Sequence, residues 1–512
     1  IWMNTQRPEW NDANNALVGN GISAVTLYYI RRFQNYLLNL FLSVDFSEVN
    51  VSSEVVKLFD SVHIIFTKAS SCIYEDRAGL LRKEFVDQLG AVASECRENF
   101  YAKGVSNTRC TIEVQSLLTF FRLSLSLIDR TISDNRRDDG LYHAYNLMTV
   151  NNSGIRVSRL YEMLEGQVAV LSSGYLSPKQ ALEVLSALRN SDIYDERQGS
   201  YLLYPDRKLP RFLDLNVIPS EQFKRSQLLQ ALVLDNDYSL IEADSYGGYY
   251  FNGSFNNVQG VKDTLKELAA QGYKKLVAKD QSLIMQIFED VFKHHRFTGR
   301  SGGMYAYEGL GCIYWHMVSK LLLTTIENIY NAKKGNFDNK IIDALIEYYF
   351  EIRGGIGFNK TPKHYGAFPT DPYSHTPGFA GAKQPGMTGQ VKEEIIARLM
   401  ELGVRIEDGC IRFYSFIMRK SEFLLSPKKF HYFDVNGQQK TLELVIGQMA
   451  FTYCQIPVVY EMGTKFLIEI TYFGGEKEEI EEPFIDRCTS AVIFSKTGAV
   501  HKIKVTLDPG LK

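Results

Sequence analysis

Two carboxylates, a guanidinium, an indole and an amide fall within one short stretch near the start of the chain, Arg7-Pro8-Glu9-Trp10-Asn11-Asp12. This mixture suits carbohydrate chemistry. An indole face stacks on a pyranose ring, and a carboxylic acid protonates a departing glycosidic oxygen. Asn11 both donates to and accepts from hydroxyls, and Arg7 adds further donors. The same residues also serve purely structural ends: Asp12 can cap the helix that follows, and Trp10 can pack in a core.

A second stretch runs from His364-Tyr365 through Asp371-Pro372-Tyr373-Ser374-His375 and Lys383 to Thr388-Gly389, directly before a helical pattern. A hydroxyl and free N–H groups at the positive end of a helix make a seat for an anion. His375 and Lys383 can add donors and charge, and Tyr365 an aromatic face. An ordinary threonine cap beside a solvated loop fits the same spacing. A third stretch, Phe297-Thr298-Gly299-Arg300-Ser301-Gly302-Gly303 to Glu308, is rich in glycine but lacks the Gly-Lys-Ser/Thr ending of a phosphate-binding P-loop. Glu308 there is either a pocket residue or a helix-capping acid. His316 lies inside an apolar helical pattern and reads as a core histidine. His294-His295 has no ligand at a useful spacing, so no metal site is expected. No Gly-x-Ser-x-Gly motif is present, which leaves no case for a serine hydrolase.

Long helices must position these stretches. Apolar residues recur at helical spacing over 19–44, with further helices expected at 53–68, 77–103, 110–133, 257–271, 275–296, 309–331, 338–352 and 390–402. Ser177-Pro178-Lys179-Gln180 carries a capping serine and a proline at the first helical position, opening a helix to Leu188. Short polar breaks between long helices point to helical hairpins. The loop at 353–390 is too long to be a mere connector and reads as functional. From Val404 the texture alternates, with strands expected at 410–414, 430–433, 465–470 and 491–494 and turns at Asn436-Gly437 and Thr497-Gly498. The expectation is a helical catalytic portion over 1–403, with a rim insertion at about 135–255, and an antiparallel β domain over 404–512.

A chain of 512 residues can hold about three average domains or one large helical barrel with an appendage. The net charge of −2 and the lack of a dense basic run argue against a nucleic-acid partner. No apolar run reaches membrane-spanning length, so no membrane partner is expected. The seven scattered cysteines form no CxxC pair and read as reduced thiols of a cytoplasmic protein. The chain opens inside a polar motif, and the expectation is the C-terminal portion of a longer protein.

Trp10-Asn11-Asp12 resembles the Trp-Asn-Asp of the cellobiose and chitobiose phosphorylase family. Thr388-Gly389, a helix, then Leu402-Gly403-Val404-Arg405-Ile406 and Asp408-Gly409-Cys410-Ile411-Arg412 resemble that family's last barrel helix and the start of its C-terminal β segment. Stretches from Arg300 to Leu322 look more like its larger relatives, the bacterial and algal β-1,3-glucan phosphorylases. The resemblance implies an (α/α)₆ toroid, incomplete at its N-terminus, followed by a C-terminal antiparallel β domain. It implies Asp12 as general acid, with a pKa raised by partial burial beside Trp10. Arg7, Trp10, Asn11, Glu308 and Tyr365 become sugar-binding candidates, and His375, Lys383, Thr388 and Gly389 the phosphate seat. Glu9 departs from the Asp usual in the smaller enzymes. The resemblance also implies β-glucan oligosaccharides as substrate, inorganic phosphate as co-substrate, no cofactor, and compatibility with a homodimer. An inverting hydrolase with Glu308 as base, or a non-catalytic carbohydrate-binding fragment, are the alternatives the residues leave open.

Overall fold

The computed structural model describes residues 3–4, 21–71, 78–196, 199–205, 216–255, 258–292, 313, 315–356 and 388–507. Strand β1 (Met3–Asn4) pairs with β2 (Gly21–Ser23), and β2 runs into helix α1 (Ala24–Leu42). Ser23 caps α1, its hydroxyl accepting the Thr26 N–H at 3.1 Å. Next come β3 (Glu48–Ser52), α2 (Ser53–Ser71), α3 (Ala78–Lys103), β4 (Arg109–Glu113) and α4 (Val114–Asp134). Residues 110–113 were expected to be helical and are instead strand. Arg109-Cys110-Thr111-Ile112-Glu113 alternates and is rich in β-branched side chains, and β3 offers it an antiparallel partner.

Helices α1 and α4 pack antiparallel. Arg31 Nε donates to Asp129 at 2.7 Å, and ten residues on, Phe41 meets Phe121 with ring centroids 5.8 Å apart. The β5 (Tyr145–Asn151) and β6 (Gly154–Arg159) hairpin extends β1 and β2 into a four-stranded sheet. Helix α5 (Leu164–Ser172) is buried on every side, its polar Glu165 and Gln167 included, which identifies it as a central helix. Helix α6 (Pro178–Arg189) returns antiparallel beside it, opened by the expected capping box between Ser177 and Gln180. A short ladder, β7 (Tyr194–Asp195) with β8 (Ser200–Tyr201), follows.

Residues 218–292 pack around a core of their own. It is built from α7 (Ser220–Arg225), α8 (Gln227–Leu234), the β9 (Ile241–Ala243) and β10 (Tyr249–Phe251) hairpin, α9 (Val258–Leu268) and α10 (Lys274–Phe292), with Leu228, Leu232, Phe251, Val261, Ile284 and Phe288 at its centre. Buried Asp280 ties α10 to α8, accepting from the Ser226 hydroxyl at 2.9 Å and the Leu228 N–H at 2.8 Å. Helices α9 and α10 are separated by a π turn at Ala269–Tyr273, where Gly272 adopts φ 116°. The span 135–255 thus contributes Leu141 to Leu202 to the main helical core, Ala144, Tyr145, Met163, Leu203 and Tyr204 to a small cluster beside it, and Ile218 to Phe251 to this one.

Helices α11 (Trp315–Lys334) and α12 (Asn339–Gly355) form a second antiparallel hairpin, and α13 (Thr388–Glu401) packs on α11. The chain leaves α13 through Gly403 at φ +82°, where an added Cβ would lie 2.4 Å from the carbonyl carbon of Tyr414. There the strands begin. β11 (Val404–Glu407), β12 (Cys410–Phe413) and β19 (Phe484–Ile485) form one sheet, and β13 (Lys428–Phe433) pairs with β14 (Gln439–Leu444) across the expected Asn436-Gly437 turn. β15 (Gln448–Tyr453), β16 (Ile456–Met462), β20 (Val500–Leu507), β17 (Leu467–Tyr472) and β18 (Lys477–Ile480) lie side by side in that order.

Two expectations for this part are corrected. The five-stranded sheet is mixed, because β20 inserts between β16 and β17. Those two run oppositely, so the last strand is parallel to one and antiparallel to the other. Residues 491–494 lie in helix α14 (Arg487–Phe494) rather than a strand. Asp486 starts that helix, its carboxylate accepting the N–H groups of Cys488 at 2.7 Å and Thr489 at 3.1 Å. Among the described residues no helix is long and apolar enough to cross a membrane. Cys96, Cys110, Cys410, Cys454 and Cys488 are free thiols, while Cys72 and Cys312 lie outside the described residues.

His143 sits at the junction of α1 with the sheet, 7% exposed, with its carbonyl accepting from the Tyr28 hydroxyl at 2.8 Å. Burial, reinforced by Arg159 and Arg137, pushes its imidazole down to a pKa of about 4. The unfolded chain, titrating near 6.5, binds a proton that the folded chain refuses. Stability should therefore be full above pH 6.5 and fall by up to about 3 kcal/mol as the pH drops to 4. Comparing thermal unfolding of wild type and His143→Gln at pH 7 and pH 5 checks this: the variant should lose less on acidification.

Candidate functional site

Helices α1, α5, α11 and α13 stand side by side and point the same way. Midway along, Arg32 of α1 reaches the Ser172 hydroxyl at the end of α5 and grips Glu327 of α11 through both carboxylate oxygens at 2.8 and 2.9 Å. Asn328 of α11 donates to the Leu171 carbonyl at 3.0 Å, and Tyr330 donates to the Met400 carbonyl of α13 at 2.6 Å. At the other end the helix starts are linked in the same order. The Ala24 N–H of α1 donates to the Ala144 carbonyl at 2.9 Å, and Gly166 of α5 packs so closely on Ala144 that a Cβ would lie 3.0 Å from its nitrogen. The Leu164 N–H donates to the Leu203 carbonyl at 2.8 Å, and neighbouring Leu202 bridges Ile313 just ahead of α11. Helices α4, α6 and α12 pack outside this row, antiparallel to it. The row therefore gathers four helix N-termini, each the positive end of its dipole, at one end.

Arg7, Trp10, Asn11, Asp12, Glu308, Tyr365, His375 and Lys383 lie outside the described residues. Thr388 and Gly389 form the first turn of α13. In sequence, the three stretches that carry these residues run into the starts of α1, α11 and α13, three of the N-termini gathered at that end.

A polar interior that the sequence reading missed follows from the same row. The charges of Arg32 of α1, Glu165 of α5, Glu327 of α11 and Glu393 of α13 all reach the Tyr29 hydroxyl of α1. Burial pushes the Tyr29 hydroxyl up to about 12, with the Glu165 carboxyl adding, the Arg32 guanidinium opposing, and Glu327 and Glu393 adding further. Glu165 is 5% exposed and accepts from the Tyr145 hydroxyl at 2.8 Å. Glu393 is 6% exposed, and its Oε2 has no hydrogen-bond partner among the described residues. Between α11 and α13 the sign reverses. Burial, aided by Lys320 and Lys392, pushes His316 down to about 4, so its imidazole is neutral at ordinary pH. His316, Lys320 and Glu327 are spaced i, i+4 and i+11, one stripe of α11. That polar stripe was the signal available in the sequence. His316, expected as a core histidine, is partly buried. No group of three or more described His, Cys, Asp or Glu residues is arranged to hold a metal ion.

Residues 209–295 match the family model described as GH149 phosphorylase insertion domain 2. The match covers the unit with its own core and points to a carbohydrate-active phosphorylase family of the GH149 type. A comparison with curated proteins gave no match.

Proposed function

We propose that this chain carries out phosphorolysis of β-glucosidic bonds with inversion, β-1,3-glucan oligomers first and cello-oligomers second, releasing α-glucose 1-phosphate. The observation that carries the reading is the match of residues 209–295 to a phosphorylase insertion domain. The residue chemistry agrees with it. An inverting hydrolase needs a second carboxylate to activate water. A phosphorylase replaces that water with phosphate, already an anionic nucleophile, and needs one acid and a donor-rich anion seat. Asp12 with His375, Lys383 and the Thr388-Gly389 helix start is that set, and Arg7, Trp10, Asn11, Glu308 and Tyr365 would hold the sugar.

In the step itself a phosphate oxygen bonds to C1 from the face opposite the leaving sugar. The C1–O glycosidic bond breaks, and the Asp12 proton passes to the departing oxygen. The products are α-glucose 1-phosphate and a glucan one unit shorter. The parallel row with its antiparallel outer helices supports an arc of an (α/α)₆ toroid as the scaffold. The test runs the reaction backwards: phosphate release from α-glucose 1-phosphate with glucose, laminaribiose or cellobiose as acceptor. Release with laminaribiose ahead of cellobiose is expected. Hydrolysis of glucan oligomers without phosphate would overturn the reading in favour of a hydrolase.

A further inference from the structure

We infer that His143 is an acid-sensitive latch: protonating it frees the starts of α1 and α5, at the end of the row where the helices begin, while the β domain stays folded. The inference is independent of the phosphorylase reading. Three consecutive residues, Tyr142, His143 and Ala144, form the joint. Tyr142 is stitched to α5, its N–H donating to the Gln167 side chain at 2.9 Å and its carbonyl accepting from that side chain at 2.7 Å. The Ala144 carbonyl takes the first two N–H groups of α1, from Ala24 at 2.9 Å and Val25 at 3.2 Å. His143 lies between them. Its carbonyl accepts from the Tyr28 hydroxyl of α1, and its N–H donates at 3.0 Å to the carbonyl of Asn135, just past the end of α4.

The surroundings favour the neutral ring. It is buried, and its Nδ1 has no hydrogen-bond partner among the described residues, so a proton placed there would be buried without an acceptor. Two guanidinium groups beside the joint are held in place. Arg159 of β6 donates to the side chain of the same Asn135 at 2.7 Å and to the Asp134 carbonyl at 2.6 Å. Arg137, whose N–H donates to the Leu141 carbonyl at 2.8 Å, is gripped by Asp139 at 2.7 Å and Glu162 at 3.0 Å. Asp139 and the Leu160 carbonyl favour the charged ring, but burial and the two arginines outweigh them. From α1 the nearby titratable group is Tyr28, and α5 brings Glu165, which takes the Tyr145 hydroxyl. Opening the joint returns the imidazole to water, where it titrates near 6.5. Each opening therefore takes up a proton once the pH is below 6.5. The open population rises about tenfold for each further unit, down to the folded value of about 4.

The experiment is hydrogen exchange of the full chain, read by mass spectrometry across this pH range and corrected for the intrinsic exchange rate, in wild type and His143→Gln. In wild type the amides of Ala24, Val25 and Tyr142 should exchange from an open state about twentyfold more populated at pH 5 than at pH 7. The β20 amides of Ile503, Lys504 and Val505 should change less than about threefold. In His143→Gln, which cannot take up the proton, the helix-start amides should also change less than about threefold. A gain at the helix starts that β20 shares equally would mean that acid acts through unfolding of the whole chain, and it overturns the inference. So does a wild type whose helix starts do not respond, or a response that survives in the variant. Should His143→Gln fail to fold, the wild-type profile decides alone. The gain must begin near pH 6.5 and follow one proton per opening, and a gain that begins only below about pH 5 belongs to carboxylates and sinks the latch.

Discussion

Asp12→Asn should lower phosphorolysis of an unactivated glucan by about 10²–10⁴-fold, the usual worth of a positioned general acid. The amide matches the carboxyl in size and can still accept a hydrogen bond, but it has no proton to give at the pH of the reaction. The leaving sugar oxygen, a poor leaving group unless protonated, then departs as an alkoxide. The loss should shrink sharply for an aryl glucoside such as 4-nitrophenyl glucoside, whose phenolate leaves without help. That contrast separates an acid from a residue that only shapes the pocket, because a misshapen pocket would slow both substrates alike. Measuring kcat/KM for both in the two proteins decides it, and equal losses would remove Asp12 from the acid role.

Glu401→Ala should cost about 3–5 kcal/mol of stability, the range for removing one partner from a buried ion pair. Glu401 is the last residue of α13 and is fully buried. It accepts from the Tyr349 hydroxyl at 2.8 Å and from Arg353 at 2.8 Å, both on α12, and from Arg398 one turn back. The same two arginines reach Glu422 in the β domain, with Arg398 to Oε1 at 3.1 Å and Arg353 to Oε1 at 3.4 Å. Deleting Glu401 leaves two half-buried guanidinium groups sharing one carboxylate and a buried tyrosine hydroxyl without its acceptor. Glu401→Gln, which keeps an acceptor but not the charge, should lie between wild type and Ala. Urea unfolding followed by circular dichroism measures both. A loss under about 1 kcal/mol in the alanine variant would show that the cluster is dispensable.

Much of the helical architecture was legible because its signals are local. Ser177, Pro178 and Gln180 specify a helix start by themselves, and the observed capping box is what those three residues dictate. The turn at Asn436-Gly437 is similarly self-contained, with Asp434 accepting the N–H groups of Asn436 and Gln438 at 2.9 Å each. What failed depended on partners far away in sequence. Residues 109–113 are a strand because residues 48–52 lie beside them, and β20 is parallel to β16 because it enters a sheet already laid down. The four apolar residues 491–494 were too few to distinguish helix from strand by periodicity. The cap at Asp486 decides, and it lies five residues upstream.

The same division applies to the site. Its proposed reactive residues were singled out through a family resemblance, since a tryptophan and an aspartate ahead of a helix and a threonine-glycine helix start also fit a core residue and ordinary caps. The burial of Glu165 and Glu393 was not legible, because each looks like an ordinary surface glutamate on a helix. Only the packing of α1, α5, α11 and α13 covers them.

Helix α13 is anchored at its far end by more than the Glu401 cluster. Tyr330 donates to the Met400 carbonyl at 2.6 Å and to the Tyr414 carbonyl at 3.1 Å, and Tyr460 of the five-stranded sheet donates to the Leu402 carbonyl at 2.8 Å. Gly403 closes the joint with no room for a side chain. A helix of this length is a stiff rod about 20 Å long, and a rod clamped at one end has its other tip aimed by the clamp. The β domain thereby serves as a tripod for the Thr388-Gly389 turn. A lesion among its strands would be felt as misaim at that distant tip, a tilt of a few degrees there becoming a displacement of about 1 Å, enough to cost an aligned reaction much of its rate without touching a reacting group.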